Sequence, residues 1–228
     1  MKKSFCRIAP LALLAMVAAL ATTATPARAT LLSTLIDNGG TLQVGDKLFS
    51  GFQYKSSGDM PAAGGVNVSP FTDGMGNYGI EFQGAFLDFL GNGGSDALIK
   101  FKVTVLDPSK EIVGVNLSGN PDVVGGNGVM SVTESFLPDV TTATLNIYDI
   151  TPGAQKLADS IMLGQGYKTF NVQKDILGFS AGGVATMSFL RQAFVQADGP
   201  IIPEPATATM MIVGLGAVCL VGLRKRRV

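Results

Sequence analysis

Short segments of alternating apolar and polar residues fill the middle of the chain. In 97–106, Ile99, Phe101, Val103 and Val105 alternate with Lys100, Lys102 and Thr104. A period of two with one apolar face predicts a strand half on a core and half in water. The same reading places Tyr78, Ile80 and Phe82 inward against Glu81 and Gln83, and sets Leu48, Phe52 and Tyr54 on one face. Val132 opposes Ser131 and Thr133. Leu145, Ile147 and Asp149 oppose Thr144, Asn146 and Tyr148. Further strands are expected at 66–68, around Phe170 and Val172, and at 184–195, with Met187, Phe189 and Phe194 packing. Segment 156–163 fits a strand or a short helix, and 31–36 is a short apolar opening. Asp107-Pro108 predicts a hairpin joining 97–106 to 111–117. Gly, Asn, Asp and Pro punctuate these segments, as in Asn38-Gly39-Gly40 and the Gly-rich stretch 119–128. No period of repeat length recurs. The fold class expected is all-β, an antiparallel β-sandwich with which jelly-roll-like wiring is compatible, spanning 30–199.

The two ends read differently. Lys2, Lys3 and Arg7 precede an apolar run at 8–21, and Ala27-Arg28-Ala29 forms an A-x-A site. Residues 1–29 therefore read as a secretory signal peptide cleaved after Ala29, which implies the Sec export machinery and a signal peptidase as partners. Cys6 lies ahead of the apolar run, so it is not placed to accept a lipid. At the other end, Pro203-Glu204-Pro205 is followed by an uncharged run at 206–223 and then by Arg224, Lys225, Arg226 and Arg227. As a helix that run would be about 27 Å long, close to the hydrocarbon thickness of a bilayer. It predicts a single transmembrane helix, with the basic cluster on the cytoplasmic side as a membrane stop.

The tail, residues 200–228, resembles the PEP-CTERM sorting signal of Gram-negative bacteria. The resemblance rests on three features in order: the motif at 202–207, the apolar helix and the basic end. It implies an exosortase as a partner, cleavage near the motif, and association with exopolysaccharide and biofilm matrix. The helix would then act as an address. The opening Gly45 to Tyr54 (G-D-K-L-F-S-G-F-Q-Y) is similar to segments near the mature N-terminus of other proteins with this tail. The localisation implied is export across the inner membrane, anchoring through the C-terminal helix, and then the cell surface or extracellular matrix.

Charge changes the picture once the ends are set aside. The whole chain is formally neutral, but eight of its seventeen Lys and Arg lie in the two ends. The exported part, with Glu204, keeps nine against seventeen Asp and Glu, a net charge of −8. That argues against nucleic acid as a partner and suits solubility in a matrix. Cys6 and Cys219 both lie in the ends, so the domain has no disulfide. There is no histidine, which excludes a Ser-His-Asp triad and any His-ligated metal. No catalytic residue and no cofactor is expected. Asp73, Asn77, Asn92, Asp96, Asp122 and Asn127 lie in or beside Gly-rich loops and could offer oxygen ligands for Ca²⁺, although they match no EF-hand spacing and turn formation is the simpler account of them. Tyr54, Tyr78, Tyr148 and Tyr167 are candidates to stack on sugar rings. The function expected is a non-enzymatic exported surface or matrix protein. The alternative is a carbohydrate-binding module, Ca²⁺-assisted or not, that holds extracellular polysaccharide.

Overall fold

A computed structural model describes residues 28–91, 93–137 and 140–199. Along the chain come β1 (Thr30–Leu31), α1 (Leu32–Asp37), β2 (Leu42–Val44), β3 (Lys47–Ser57), a 3₁₀ turn (Ala63–Gly65), β4 (Val66–Thr72), β5 (Tyr78–Phe89) and β6 (Ser95–Val105). They continue as β7 (Lys110–Gly119), β8 (Asp122–Val124), β9 (Gly128–Leu137), β10 (Leu145–Thr151), β11 (Gln155–Lys156), β12 (Ala158–Tyr167), β13 (Thr169–Ser180) and β14 (Val184–Asp198). The strands form two antiparallel sheets of seven. The first has the order β1-β4-β5-β14-β7-β12, with β8 also paired to β14. The second has the order β11-β10-β9-β13-β6-β3-β2. The pairings β9·β10, β7·β12, β6·β13 and β5·β14 nest inside one another and alternate between sheets. This is jelly-roll wiring, a long hairpin rolled over on itself.

Alternation holds where strands are regular. Ile99, Phe101 and Val103 of β6 are fully buried, as are Met130 and Val132 of β9 and Ile147 of β10. The inner faces meet in an aromatic cluster: Phe49 lies 6.0 Å from Phe101 and 5.8 Å from Phe194, and Phe170 lies 6.0 Å from Phe194. Burying such rings dominates core energetics in a domain that has no cross-links to cysteine.

Several expectations are corrected. The hairpin at Asp107-Pro108 does not form: β6 pairs β3 and β13, whereas β7 pairs β14 and β12 in the other sheet. Lys168 Nζ binds the carbonyls of Pro108 (2.7 Å) and Lys110, holding the crossing turn in place. Leu48 does not share a face with Phe52. A bulge between Ser50 and Gln53, with Gly51 at φ 64°, puts Lys47, Phe49 and Phe52 inward and leaves Leu48 half-buried. Tyr78 has inward parity but lies past the end of the core and is exposed. Glu81 keeps outward parity yet is buried, because Arg191 pairs with it and stacks 4.4 Å from the Phe189 ring. The apolar opening is the short helix α1, and segment 156–163 resolves into strand.

Among the described residues no helix is long and apolar enough to cross a membrane. The expected span 206–223 lies outside those residues, as do the signal segment up to Ala27, the sorting motif Pro203 to Pro205 and the basic cluster Arg224 to Arg227. Ala29 directly precedes β1.

Gly79 of β5 packs against β14 so closely that an added Cβ would lie 1.7 Å from the Gln192 carbonyl oxygen. Gly79→Ala is therefore expected to part the central strands of the first sheet and cost about 3 kcal/mol, read as a lowered urea midpoint with unchanged slope.

Candidate functional site

A concavity lies at the end of the sandwich where β14 runs out. Its volume is about 570 Å³. The β2–β3 turn supplies Gly45 and Asp46, the start of β5 supplies Tyr78, the turn after β6 supplies Asp107, β7 supplies Lys110 and β14 supplies Gln196. Gly45 and Asp46, from the segment singled out in the sequence, thus form one wall, with Lys47 buried behind them.

Each residue of that segment has a physical reason to be there. Gly45 has φ 57°, and a Cβ on it would lie 2.3 Å from Tyr78 Cε2, so only glycine lets the tyrosine ring lie against the turn. The Asp46 carbonyl accepts from Leu106 N–H at 2.7 Å, tying this turn to the end of β6. The Asp46 carboxylate accepts from Lys47 Nζ at 3.0 Å and from Gln196 Nε2. The Lys47 side chain is wholly buried, and that burial lowers its pKa while Asp46 pulls the other way. Lys47 Nζ also lies 6.0 Å from the Tyr78 ring centroid.

The far wall carries charge at neutral pH. Asp107 accepts from the Ser109 hydroxyl at 2.6 Å and from its N–H at 2.8 Å, and these bonds hold its pKa below the usual carboxylate value. Lys110 donates to Asp198 at 2.6 Å, which raises the lysine's pKa. Gly199 N–H donates to the Ser109 carbonyl at 2.8 Å, so the chain is pinned to the rim up to its last described residue. An aromatic ring flanked by an amide, a carboxylate and an ammonium is a surface that suits a polyhydroxylated ligand.

The other sequence candidates are dispersed. Asp73 and Asn77 close the β4–β5 turn on each other: Asp73 accepts from the N–H groups of Met75 and Asn77 and from the side chains of Asn77 and Asn116. Partial burial raises the Asp73 pKa, but these bonds outweigh it and the net shift is downward. Asn92 lies outside the described residues. Asp122 is exposed on β8, and the Asn127 carbonyl receives Ala181 N–H. Among the described residues no three carboxylates gather as a metal cluster would require. Tyr54 donates to the Pro61 carbonyl at 2.7 Å, and burial pushes its pKa up to about 12. Tyr167 donates to the Val140 carbonyl at 2.9 Å. Tyr78, 36% exposed, is the tyrosine that reaches the cleft.

Sequence reasoning missed two features. Asp96 on β6 and Asp175 on β13 meet on the outer face of the second sheet, and burial followed by their mutual hydrogen bond raises the Asp96 pKa. Glu134 and Lys174 pair in the core. Lys174 shares inward parity with Phe170 and Val172, and that parity was the available signal.

Comparisons follow from this geometry. No curated protein matches the chain in sequence. Among solved structures, TmCBM61 in complex with β-1,4-galactotriose aligns with a TM-score of 0.32 at 12% identity, over 62% of this chain and 88% of that one. The enzymatically active domain of bacteriophage CBA120 tailspike protein 4 aligns at 0.30 and 12%, over 63% of this chain and 19% of that one. CpGH89CBM32-6 of Clostridium perfringens aligns at 0.24 and 10%, over 57% and 94%. At such scores these likenesses carry no inference about function. Residues 202–227 match the PEP-CTERM protein-sorting motif.

Asp46→Ala leaves Lys47 buried without its carboxylate and is expected to lower stability by about 3 kcal/mol in denaturant titration. Asp73 and Asp107 have depressed pKa values when folded, so the stability they contribute is present above the ordinary carboxylate pKa of 3.8 and is lost as the pH falls below it. The melting temperature should fall on acidification through that range, and less steeply in Asp73→Asn. The chain carries a PEP-CTERM protein-sorting motif at residues 202–227.

Proposed function

We propose that this chain is a non-enzymatic surface or matrix protein, exported and then delivered through its sorting tail. The observation that carries the reading is the match at 202–227, beginning three residues beyond the pinned Gly199. Such a motif implies export, membrane-linked sorting and an exosortase as processing partner. The described sandwich runs to Gly199, and the matched motif begins at Ile202. At about 3.5 Å per residue, the chain from Gly199 to Pro203 spans at most about 14 Å. The sandwich is then the delivered cargo. The net charge of −8 in the exported part favours solubility in a polysaccharide-rich surrounding.

A second reading adds a ligand. The cleft binds a neutral sugar of the host's own extracellular polysaccharide, with Tyr78 as the stacking platform and Asp107, Lys110 and Gln43 as hydrogen-bonding partners. The exposed Tyr78 ring, seated on Gly45, favours it.

Replacing Pro203, Glu204 and Pro205 with alanine should abolish release, leaving the protein in the cell envelope and out of the culture medium on immunoblots. Release at the normal level would overturn the sorting reading. For the ligand, calorimetric titration with oligosaccharides cut from the host polysaccharide should show binding that Tyr78→Ala weakens about tenfold, the loss of about 1.4 kcal/mol of ring contact. Equal binding by both proteins would remove the cleft from consideration.

A further inference from the structure

Three polar side chains face one another inside the sandwich. Glu134 of β9, Lys174 of β13 and Gln192 of β14 are all fully buried. Glu134 and Lys174 are direct cross-strand partners in one sheet. Gln192 comes from the other sheet. Glu134 lies between the two: one carboxylate oxygen receives Lys174 Nζ and the other receives Gln192 Nε2. Gln192 Oε1 has no hydrogen-bond partner. The inward neighbours along these strands are Val132, Phe136, Val172, Ile176, Leu190 and Phe194.

An ion pair is poorly suited to such a place, because desolvation costs several kcal/mol per charge. Burial raises the Glu134 pKa and lowers that of Lys174, with their mutual attraction opposing both shifts. The two burial effects act in the same direction. Both favour transfer of the proton from the ammonium to the carboxylate, toward a neutral amine beside a carboxylic acid. A neutral amine is a nucleophile, a carboxamide carbon is an electrophile, and a carboxylic acid touching both can relay the proton. Glu134 touches each of the other two inside the core, and holding reacting groups in one buried site is the condition under which an intramolecular reaction gains a high effective concentration.

We propose that Lys174 and Gln192 are joined by an isopeptide bond that the folded domain forms on its own, with Glu134 as the catalytic acid–base residue. The Lys174 Nζ lone pair attacks Gln192 Cδ. Glu134 takes a proton from the attacking nitrogen and delivers one to Gln192 Nε2. The Cδ–Nε2 bond breaks and ammonia leaves. A primary amine and a primary amide become a secondary amide plus ammonia, with no change of oxidation state and no co-reactant. The product ties one sheet to the other in a domain that lacks cysteine, and it fixes β14, the strand that continues into the sorting tail. The inference rests on neither the sorting reading nor the sugar reading.

The test uses the full chain, purified without proteolysis. Its intact mass should lie about 17 Da below that calculated for its observed termini, the mass of one ammonia. A tryptic digest should leave Lys174 uncut and yield a branched peptide joining 169–191 to the peptide that starts at Gln192. The branch is the decisive readout, because a free Gln192 peptide loses ammonia by cyclising alone. A full intact mass with cleavage after Lys174 would overturn the proposal and leave a buried ion pair. Glu134→Gln, checked for its β-sheet circular dichroism, should show neither mass loss nor branch. A branch persisting in that variant would refute the role given to Glu134.

Discussion

The sandwich closes through its last strand. β14 lies at the centre of the first sheet, with β5 on one side and β7 and β8 on the other. Its inward side chains Met187, Leu190 and Phe194 are buried against the second sheet, and Phe194 contacts both Phe49 and Phe170. Without β14 the first sheet falls into the β1-β4-β5 unit, the β7-β12 pair and a β8 left without its sheet partner. The domain's stability therefore depends on its final fifteen residues. Nearly all of their contacts are distant in sequence, an arrangement that folds slowly and completes only when the C-terminal part is available.

The same strand sets the geography of the molecule. It passes Gln192 in the core, lines the cleft with Gln196, and ends in the Lys110–Asp198 ion pair and the Gly199–Ser109 hydrogen bond. The tail thus leaves from the cleft end. Whatever holds the tail also holds β14, and with it the centre of the sheet. The Gly45-Asp46-Lys47 turn closes this end by tying β2–β3 to the end of β6 through Leu106 and to β14 through Gln196.

Much of this was legible in the sequence wherever strands were regular. β6 reads correctly residue by residue, because one of its faces is core and the other solvent. Asp149 also held its inward parity, and its carboxylate is satisfied by Val123 N–H at 2.8 Å. Legibility failed at bulges, where one extra residue reverses parity, as at Gly51. It failed for partner choice as well: the turn at Asp107-Pro108 looks the same whether the next strand pairs or crosses to the other sheet. The cleft assembles residues from 43 to 196, and only Tyr78 and the Gly45-Asp46 turn stood out in advance. Glu134, Lys174 and Gln192 meet across two sheets, a proximity that no spacing along the chain encodes.

On the proposed function, the sandwich described up to Gly199 is cargo and 202–227 is its address. The most direct measurement is the intact mass of the protein recovered from its own host, with cell envelope and culture medium analysed separately. The account predicts that the released form ends at or near Pro203 to Pro205, with or without an attached glycan. A chain that runs through to Val228 and is found only in the membrane would contradict it. The sandwich would then be a permanently anchored domain, with its tail acting as an anchor alone.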